Sequence, residues 1–222
     1  MKPVTLLAGG FGTRLKSEID ELPKFLAPIN GIPFGLYLLE SYSNYGAKDI
    51  ILSVGYQAQL IKDMVGVSYR GINIEYSEED EPLGTGGALM KAVDKFGLTD
   101  VVVGNGDTYF FGDLKGMEDY HDNSSVKATM LLCDPPSTTA SLVSVNNRGF
   151  VRWGGGNKAY AGIAMLKEVN KTKRPEKKKY SMEEVLQEYK NILGYRSIHG
   201  FLDIGTPESF RLAAKEIKWV KL

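Results

Sequence analysis

The sequence predicts an α/β fold with a mostly parallel central sheet and helices on both faces. Two observations support this fold class: short apolar runs alternate with helical patterns through the first half of the chain, and the apolar runs are rich in β-branched residues. Because strands that alternate with helices form right-handed parallel crossover units, the pattern favours a parallel sheet. The 222 residues suffice for one domain with a sizeable core.

The elements of the first half can be assigned in order along the chain. Pro33 precedes and Gly46 follows one apolar pattern, which is typical of a helix start and a helix end. Ligands of parallel sheets bind beyond the carboxyl ends of the strands, so the polar segments there are candidate site residues. The predicted strands are Val4–Leu7, Ile50–Val54, Ile72–Tyr76, Val101–Val103 and Lys127–Leu132, and the predicted helices are Phe34–Tyr45, Gln57–Val65 and Gly86–Phe96.

The second half of the chain is less regular. Thr206 and Pro207 predict the start of a final helix, because threonine is a favoured N-cap residue and proline a favoured first helical residue. The other predicted elements are a hairpin of Leu142–Val145 and Phe150–Arg152, a glycine loop at 154–156, a helix from Met182 to Tyr189 and a strand at Phe201–Ile204.

The composition excludes several classes of protein. Basic and acidic residues both number 27, so no net field directs the chain to nucleic acid or to a membrane surface. The sequence contains no apolar run of about 18 residues and no signal-peptide pattern, which predicts a cytoplasmic protein without a membrane partner. The single cysteine, Cys133, lies in an apolar run and is predicted to be a core thiol.

A glycine-rich segment follows the first predicted strand, with the sequence LAGGFGTRL at residues 7–15. Three glycines in four positions let the backbone approach a ligand and direct several N–H groups at it. Arg14 adds a guanidinium suited to phosphate oxygens, and Lys24 is a second cation nearby in the sequence. The segment therefore predicts a polyphosphate site. No Gly-Lys pair exists for a P-loop, and Leu15 takes the place of the third glycine of a dinucleotide fingerprint.

Five segments resemble the signatures of the sugar-nucleotide pyrophosphorylases, or nucleotidylyltransferases. They are LAGGFGTRL, PKFLAPING, EPLGTGGA, GNGD and DIGTPE, at residues 7–15, 23–31, 81–88, 104–107 and 203–208. The resemblance implies a three-layer Rossmann-like (GT-A-type) nucleotidyltransferase fold in a single domain, 1–222. About 1–110 would bind the nucleotide, and about 111–222 would bind the sugar phosphate and supply the C-terminal strand and helix. The C-terminal β-helical acyltransferase domain of some relatives is not expected.

The family joins a nucleoside triphosphate to a sugar 1-phosphate and releases pyrophosphate. The resemblance implies Arg14 and Lys24 as the catalytic cations, Arg14 for the leaving phosphates and Lys24 between the α-phosphate and the sugar phosphate. It also implies Asp107 and Asp203 as the ligands of the cofactor Mg²⁺. Asp107 alone is equally typical of a turn after a strand. Asp203 closes a second strand, and two such carboxylates suit Mg²⁺.

The remaining site residues follow from the same segments. Glu81 could accept hydrogen bonds from the guanine N1–H and amino group, although an exposed acid is equally typical there. Tyr160 stands where the family usually has asparagine, near the implied sugar-binding residues Gly162 and Glu183. The implied nucleotide-binding residues are Leu7, Ala8, Gly9, Gly10, Gly12, Thr13, Glu81, Gly84, Thr85, Gly86 and Asp107.

Within the family, the segments most resemble members that transfer GMP to a heptose 1-phosphate. The implied partners are GTP and a sugar 1-phosphate, with a heptose 1-phosphate favoured, and the implied product is a GDP-heptose for surface glycan. The alternatives are a cytidylyl- or uridylyltransferase for another phosphorylated acceptor, and a non-catalytic regulatory relative. Tyr37, Tyr42 and Tyr45 either pack their helix or contact a second copy in a homo-oligomer. The basic segment Lys171–Lys179 is a solvated loop or a lid over anionic substrates.

Overall fold

The computed structural model describes residues 2–135 and 141–218. Within them the helices are α1 (Lys16–Ile19), α2 (Phe34–Asn44), α3 (Ala58–Val65), α4 (Gly84–Phe96), α5 (Leu114–Asp122), α6 (Met182–Gln187) and α7 (Pro207–Glu216). The strands are β1 (Val4–Leu7), β2 (Pro28–Ile29), β3 (Ile32–Pro33), β4 (Asp49–Val54), β5 (Ser68–Tyr69), β6 (Ile72–Glu78), β7 (Val101–Asn105), β8 (Thr108–Phe110), β9 (Ala128–Cys133), β10 (Leu142–Val145), β11 (Val151–Trp153), β12 (Lys158–Leu166), β13 (Ile192–Arg196) and β14 (Phe201–Asp203).

The central sheet has ten strands among the described residues, in the order β11-β10-β12-β7-β1-β4-β6-β5, with β9 paired to β12 and β13 paired to β9. Strands β7, β1, β4 and β6 run parallel, as the first half of the sequence predicts. Strand β12 runs antiparallel to both β7 and β9, while β13 and β9 are parallel. The α/β class with a parallel centre is confirmed, and the second half extends the sheet with antiparallel pairs.

Helices cover both faces of the sheet, which confirms the three-layer arrangement. Because strand side chains alternate between faces, Val102 of β7 joins one hydrophobic cluster and its neighbours Val101 and Val103 join the other. The first cluster includes buried residues of α2, α3, α5 and α7, and the second includes residues of α4 and α6. No helix among the described residues is long and apolar enough to cross a membrane.

The predicted elements of the first half are confirmed, with ends that differ by no more than two residues. Strand β12 was not predicted. Its sequence, KAYAGIAML, is rich in alanine and poor in β-branched residues, so its local propensity for a strand is weak. It forms a strand because β7 and β9 pair with its two edges and because its side chains are largely buried. Helix α5 and strands β8 and β13 were also absent from the prediction.

The structure decides one question that the sequence left open and confirms one prediction. Tyr37 and Tyr42 of α2 are buried, and the Tyr37 hydroxyl donates to the Ile29 carbonyl at 3.0 Å, so both residues pack within the subunit. Cys133 is fully buried in β9, and this burial raises the pKa of its thiol to about 12. The prediction of a core thiol is therefore confirmed.

Alanine in place of Gly86 is expected to lower the free energy of unfolding. A Cβ on Gly86 would lie 2.4 Å from the Ser181 carbonyl oxygen and 2.7 Å from Tyr180 Cδ2. Such overpacking typically costs about 1–3 kcal/mol, more than the roughly 1 kcal/mol that alanine gains over glycine within a helix. Urea unfolding measures the change. Gly200→Ala is the control, because no atom lies within 4 Å of the added Cβ there. Equal stability of both variants would contradict this packing.

Acid is expected to destabilise the protein through His121. This ring is fully buried on α5, where its Nδ1 lies 2.8 Å from Thr129 Oγ1. Burial, and secondarily Lys167 and Lys2, lowers the pKa of His121 from 6.5 to about 4. Below pH 6.5 the unfolded chain therefore binds a proton at His121, whereas the folded protein does not. The free energy of unfolding consequently falls as the pH falls from 6.5 towards 4.

The expected loss attributable to His121 is on the order of 2 kcal/mol between pH 7.5 and pH 5. Urea unfolding of the wild type and His121→Gln at both pH values isolates this contribution, which should disappear in the variant. His199→Gln, which changes an exposed histidine, should keep the wild-type pH dependence. An unaltered pH dependence in His121→Gln would refute the assignment.

Candidate active site

A cavity of about 440 Å³ opens at the carboxyl ends of β1, β4, β6 and β7. These strands are parallel neighbours, so the segments that follow them meet at one edge of the sheet. The cavity is lined by many of the residues that the sequence predicts for a nucleotide site, namely Leu7, Ala8, Gly9, Gly10, Lys24, Glu81, Gly84, Thr85 and Asp107.

The glycine-rich loop after β1 forms one wall of this cavity. Gly12 has a positive φ of 65°, which favours glycine, and a Cβ there would lie 3.1 Å from Ile19 Cδ1. A Cβ on Gly10 would meet no atom within 4 Å, so this stretch is open to a ligand. Within the described part of the chain, the amides of residues 9–12 donate no backbone hydrogen bond. They are available to an anion.

Lys24 and Asp107 meet in the cavity, although they are 83 residues apart in sequence. Lys24 begins a short 3-10 turn after Pro23, and its Nζ lies 2.8 Å from Asp107 Oδ2. The other carboxylate oxygen of Asp107 accepts a hydrogen bond from the Thr108 hydroxyl at 3.2 Å. The two predicted functional groups therefore form one ion pair at the carboxyl end of β7.

The pairing of β14 with β8 brings Asp203 to the same region. Asp203 lies opposite Thr108 in this antiparallel pair, and the Ile204 amide donates to the Asp107 carbonyl at 2.9 Å. A Cβ on Gly205 would lie 2.7 Å from Asp203 Oδ1 and 3.8 Å from Arg14 Nη2, so both side chains approach this glycine. Neither Arg14 nor Asp203 lines the cavity itself.

The donor set at this edge suits Mg²⁺. No cluster of three or more histidine, cysteine, aspartate or glutamate side chains that could hold a metal ion occurs in residues 2–135 and 141–218. Mg²⁺ is typically held by one or two carboxylates together with substrate phosphates. Asp107 and Asp203 carry hard oxygen donors of this kind near neighbouring strand ends.

Glu79 lies in the cavity wall, although it belongs to none of the segments with a family resemblance. Its Oε2 accepts a hydrogen bond from the Leu83 amide at 2.9 Å, and its Oε1 would lie 2.7 Å from a Cβ on Gly9. Burial raises its pKa above the usual range, while the Leu83 amide and Lys91 act in the opposite direction. Glu81 also lines the cavity, but its Oε1 is 2.9 Å from Lys178 Nζ and its side chain is 57% exposed.

The glycines of the EPLGTGGA segment have a structural role. They form the first turn of α4 and pack against residues 180–181. A Cβ on Gly84 would lie 2.5 Å from the Tyr180 carbonyl oxygen. Gly86 does not line the cavity, and its amide donates to the same carbonyl at 3.0 Å. Thr85 Oγ1 accepts from the Met182 amide at 2.8 Å.

The two residues implied for sugar binding lie outside the cavity lining. Gly162 is in a bulge of β12 with a φ of 70°, and a Cβ there would lie 2.6 Å from Nδ2 of Asn105, which does line the cavity. Glu183 lies in the first turn of α6, where its Oε1 accepts from Gln187 Nε2 at 3.1 Å. Gly12, Thr13, Arg14, Gly86 and Asp203 are likewise not part of the cavity lining.

Several lining residues carried no clear sequence signal. Phe11 is 48% exposed inside the glycine-rich loop, and its ring centroid lies 5.1 Å from that of Tyr56. Asn105 and Glu79 could have been found as polar residues at strand ends. Lys179 reaches the cavity from the basic segment Lys171–Lys179, for which the sequence left a solvated loop and a lid over anionic substrates as alternatives.

Comparison with known proteins assigns the family. Residues 3–141 match the family model described as Nucleotidyl transferase. The chain is 35% identical, over 96% of its length and 97% of the relative, to D-glycero-alpha-D-manno-heptose 1-phosphate guanylyltransferase from Aneurinibacillus thermoaerophilus. It is also 35% identical to the Campylobacter jejuni protein of the same name, with 92% of this chain and 95% of the relative covered.

Solved structures agree with this assignment. The crystal structure of HddC from Yersinia pseudotuberculosis complexed with GMP-PN has a TM-score of 0.84 and 28% identity, covering 98% of this chain and 100% of that one. A putative glucose-1-phosphate thymidylyltransferase from Bacillus anthracis has a TM-score of 0.87 at 20% identity, with 100% and 98% covered, which supports the fold. On these matches, the chain belongs to the nucleotidyl transferase family.

Proposed function

We propose that the protein transfers GMP from GTP to D-glycero-α-D-manno-heptose 1-phosphate, giving GDP-D-glycero-α-D-manno-heptose and pyrophosphate. The observation that carries this proposal is the cavity in which Lys24 and Asp107 face the free amides of the glycine-rich loop. Such a cavity suits a polyphosphate ligand. Two relatives with 35% identity over nearly the whole chain bear the name of this activity.

The reaction is an in-line displacement at the α-phosphorus. An oxygen of the sugar 1-phosphate attacks, the new P–O bond forms, and the bond to the bridging oxygen of the β-phosphate breaks. Lys24 holds the two anions together, and Arg14, with the amides of residues 9–13, holds the leaving pyrophosphate. No covalent enzyme intermediate is required, so catalysis depends on position and on charge stabilisation.

Mg²⁺ belongs to the proposal as the cofactor. Asp107 and Asp203 would hold it, and their oxygen donors and adjacent strand ends support this assignment. When bound, the ion would neutralise charge on the phosphates during the displacement. The Lys24 ammonium, now paired with Asp107, would then be available to the substrate phosphates.

The sugar would bind beside the nucleotide, where β12 and α6 border the cavity. Gly162 contacts Asn105, and Met182 of α6 is hydrogen-bonded to Thr85, so both elements are attached to cavity residues. Glu183 would accept hydrogen bonds from sugar hydroxyls. Its first-turn place in α6 supports this role. The cytoplasmic location and a homo-oligomeric state stay predictions.

The first experiment measures pyrophosphate release with and without Mg²⁺. GTP, CTP, UTP, dTTP and ATP are each combined with heptose, mannose and glucose 1-phosphates. Release is expected with GTP and the heptose, and its loss on chelation would identify the metal requirement. Asp107→Asn should lower the rate by at least about 100-fold. The side chain then loses its negative charge and one of its two oxygens, so it holds the metal ion that stabilises the transition state less well.

Asp49→Asn is the matched control, since this exposed aspartate begins β4 at the opposite edge of the sheet. It should retain the wild-type rate. Pyrophosphate release with CTP or UTP and another acceptor would show that the substrates are assigned wrongly, but it would agree with the proposed mechanism. The absence of release with every pair would favour the regulatory alternative.

The base is expected to contact Glu79 more than Glu81. Glu79 is half-buried against Gly9, whereas Glu81 already pairs with Lys178 in a solvent-exposed position. A carboxylate can accept from both the N1–H and the amino group of guanine, and loss of a charged hydrogen bond costs about 1.5–3 kcal/mol.

Titration calorimetry with GTP compares the two substitutions. Glu79→Gln should weaken GTP binding by at least about 10-fold, while Glu81→Gln should leave it nearly unchanged. The reverse order of effects would assign the base contact to Glu81, as the sequence suggested.

A further inference from the structure

Lys179 is a cation in the nucleotide cavity whose side chain has no ion-pair partner among the described residues. Three neighbouring lysines are paired: Lys24 with Asp107, Lys91 with Asp80, and Lys178 with Glu81. Lys179 forms no such pair, although it lines the cavity. Among the described residues that line this cavity, it alone comes from beyond Asp107 in the sequence. Its charge is therefore free for a ligand.

The backbone around Lys179 is held firmly against the start of α4. The Tyr180 amide donates to the Leu83 carbonyl at 3.0 Å, and the Tyr180 carbonyl accepts from the Gly86 amide at 3.0 Å. Tyr180 itself is buried, and the Lys178 Nζ lies 2.9 Å from Glu81 Oε1. These contacts place Lys179 beside residues 81–86, at the end of the cavity that belongs to β6 and α4.

The glycine-rich loop runs from Gly9, which lies against Glu79, to Gly12, which lies against Lys24 at the other end of the cavity. The glycine-rich loop and Asp107 follow β1 and β7, while residues 79–86 follow β6, which is separated from β1 by β4. Adjacent strands are about 4.8 Å apart, so strand β6 lies about 10 Å from β1 and about 14 Å from β7. A nucleotide with its phosphates on the glycine-rich loop would have its base near residues 79–86.

The charges at this end match the edge of guanine. Guanine presents acceptors at O6 and N7, whereas adenine and cytosine present an amino donor in place of the O6 acceptor. A lysine ammonium can only donate hydrogen bonds. A lysine ammonium and the Glu79 carboxylate in one cavity therefore complement the acceptor and donor groups of guanine, and the ammonium repels the amino group of adenine or cytosine.

We propose that Lys179 donates to the O6 side of the guanine base and contributes to the selection of GTP over ATP and CTP. This inference rests on the proposed function, because it takes GTP to be the nucleotide. It gives the basic segment Lys171–Lys179 a specific role: the ion pair of Arg174 with Asp94 holds the segment on α4, and Lys179 provides the contact to the base.

Titration calorimetry with Mg²⁺ tests the inference on the intact protein. The ligands are GTP, GMP, ATP and 2-aminopurine riboside triphosphate, which lacks the 6-oxygen. Lys179→Met should weaken GTP and GMP binding by the same factor, roughly 10- to 100-fold, and leave the 2-aminopurine nucleotide unaffected. Lys173→Met is the control, because Lys173 lies in the same segment but lines a different cavity. It should bind GTP as the wild type does.

Three outcomes would overturn the assignment. Equal GTP affinity of the wild type and Lys179→Met would remove Lys179 from the site. If Lys179→Met weakened GTP binding much more than GMP binding, Lys179 would be assigned to a phosphate. A wild type that binds GTP no better than ATP would refute the proposed function together with this inference, whereas the first two results leave the function intact. Thermal unfolding of both variants verifies that the fold is retained, as expected for exposed lysines.

Discussion

The parallel register of β7, β1, β4 and β6 is the constraint on which the site depends. Val4 of β1 pairs with Val102 on one side and Ile50 on the other, so these strands start and end together. Because all four run in one direction, the segments that follow them leave the sheet at the same edge. The glycine-rich loop, Glu79 and Asp107 meet there although they are far apart in sequence.

Charge compensation inside the cavity is a second consequence of this convergence. Asp80, Glu81 and Asp107 each face a lysine ammonium, so three of the four acidic residues that line the cavity are compensated before any ligand binds. If a polyphosphate bound together with a divalent cation, two new pairs could replace the Lys24–Asp107 pair: Lys24 with a phosphate, and Asp107 with the cation. Such an exchange leaves no partly buried charge without a partner, which would otherwise be costly.

The glycines of the family segments show that a sequence signature locates a site but does not give the role of each residue in it. Gly10 faces open space, as a ligand-binding glycine should, whereas Gly84 and Gly86 make room for the backbone of residues 180–181. Gly162 combines a positive φ with close contact to Asn105. All four belong to segments with a family resemblance, but the absence of a Cβ adjoins open space in one case and allows close chain packing in the others.

The sequence by itself determined the α/β class, the predicted elements of the first half and the segments that form the site, because periodicity, turn residues and glycine patterns act over a few neighbouring residues. Only the tertiary structure decided that β12 is a strand, since its alanine-rich sequence depends on β7 and β9 for pairing. The tertiary structure likewise placed Glu79 against Gly9 and brought Lys179 into the cavity. These contacts join segments up to about a hundred residues apart, and no local pattern encodes such distances.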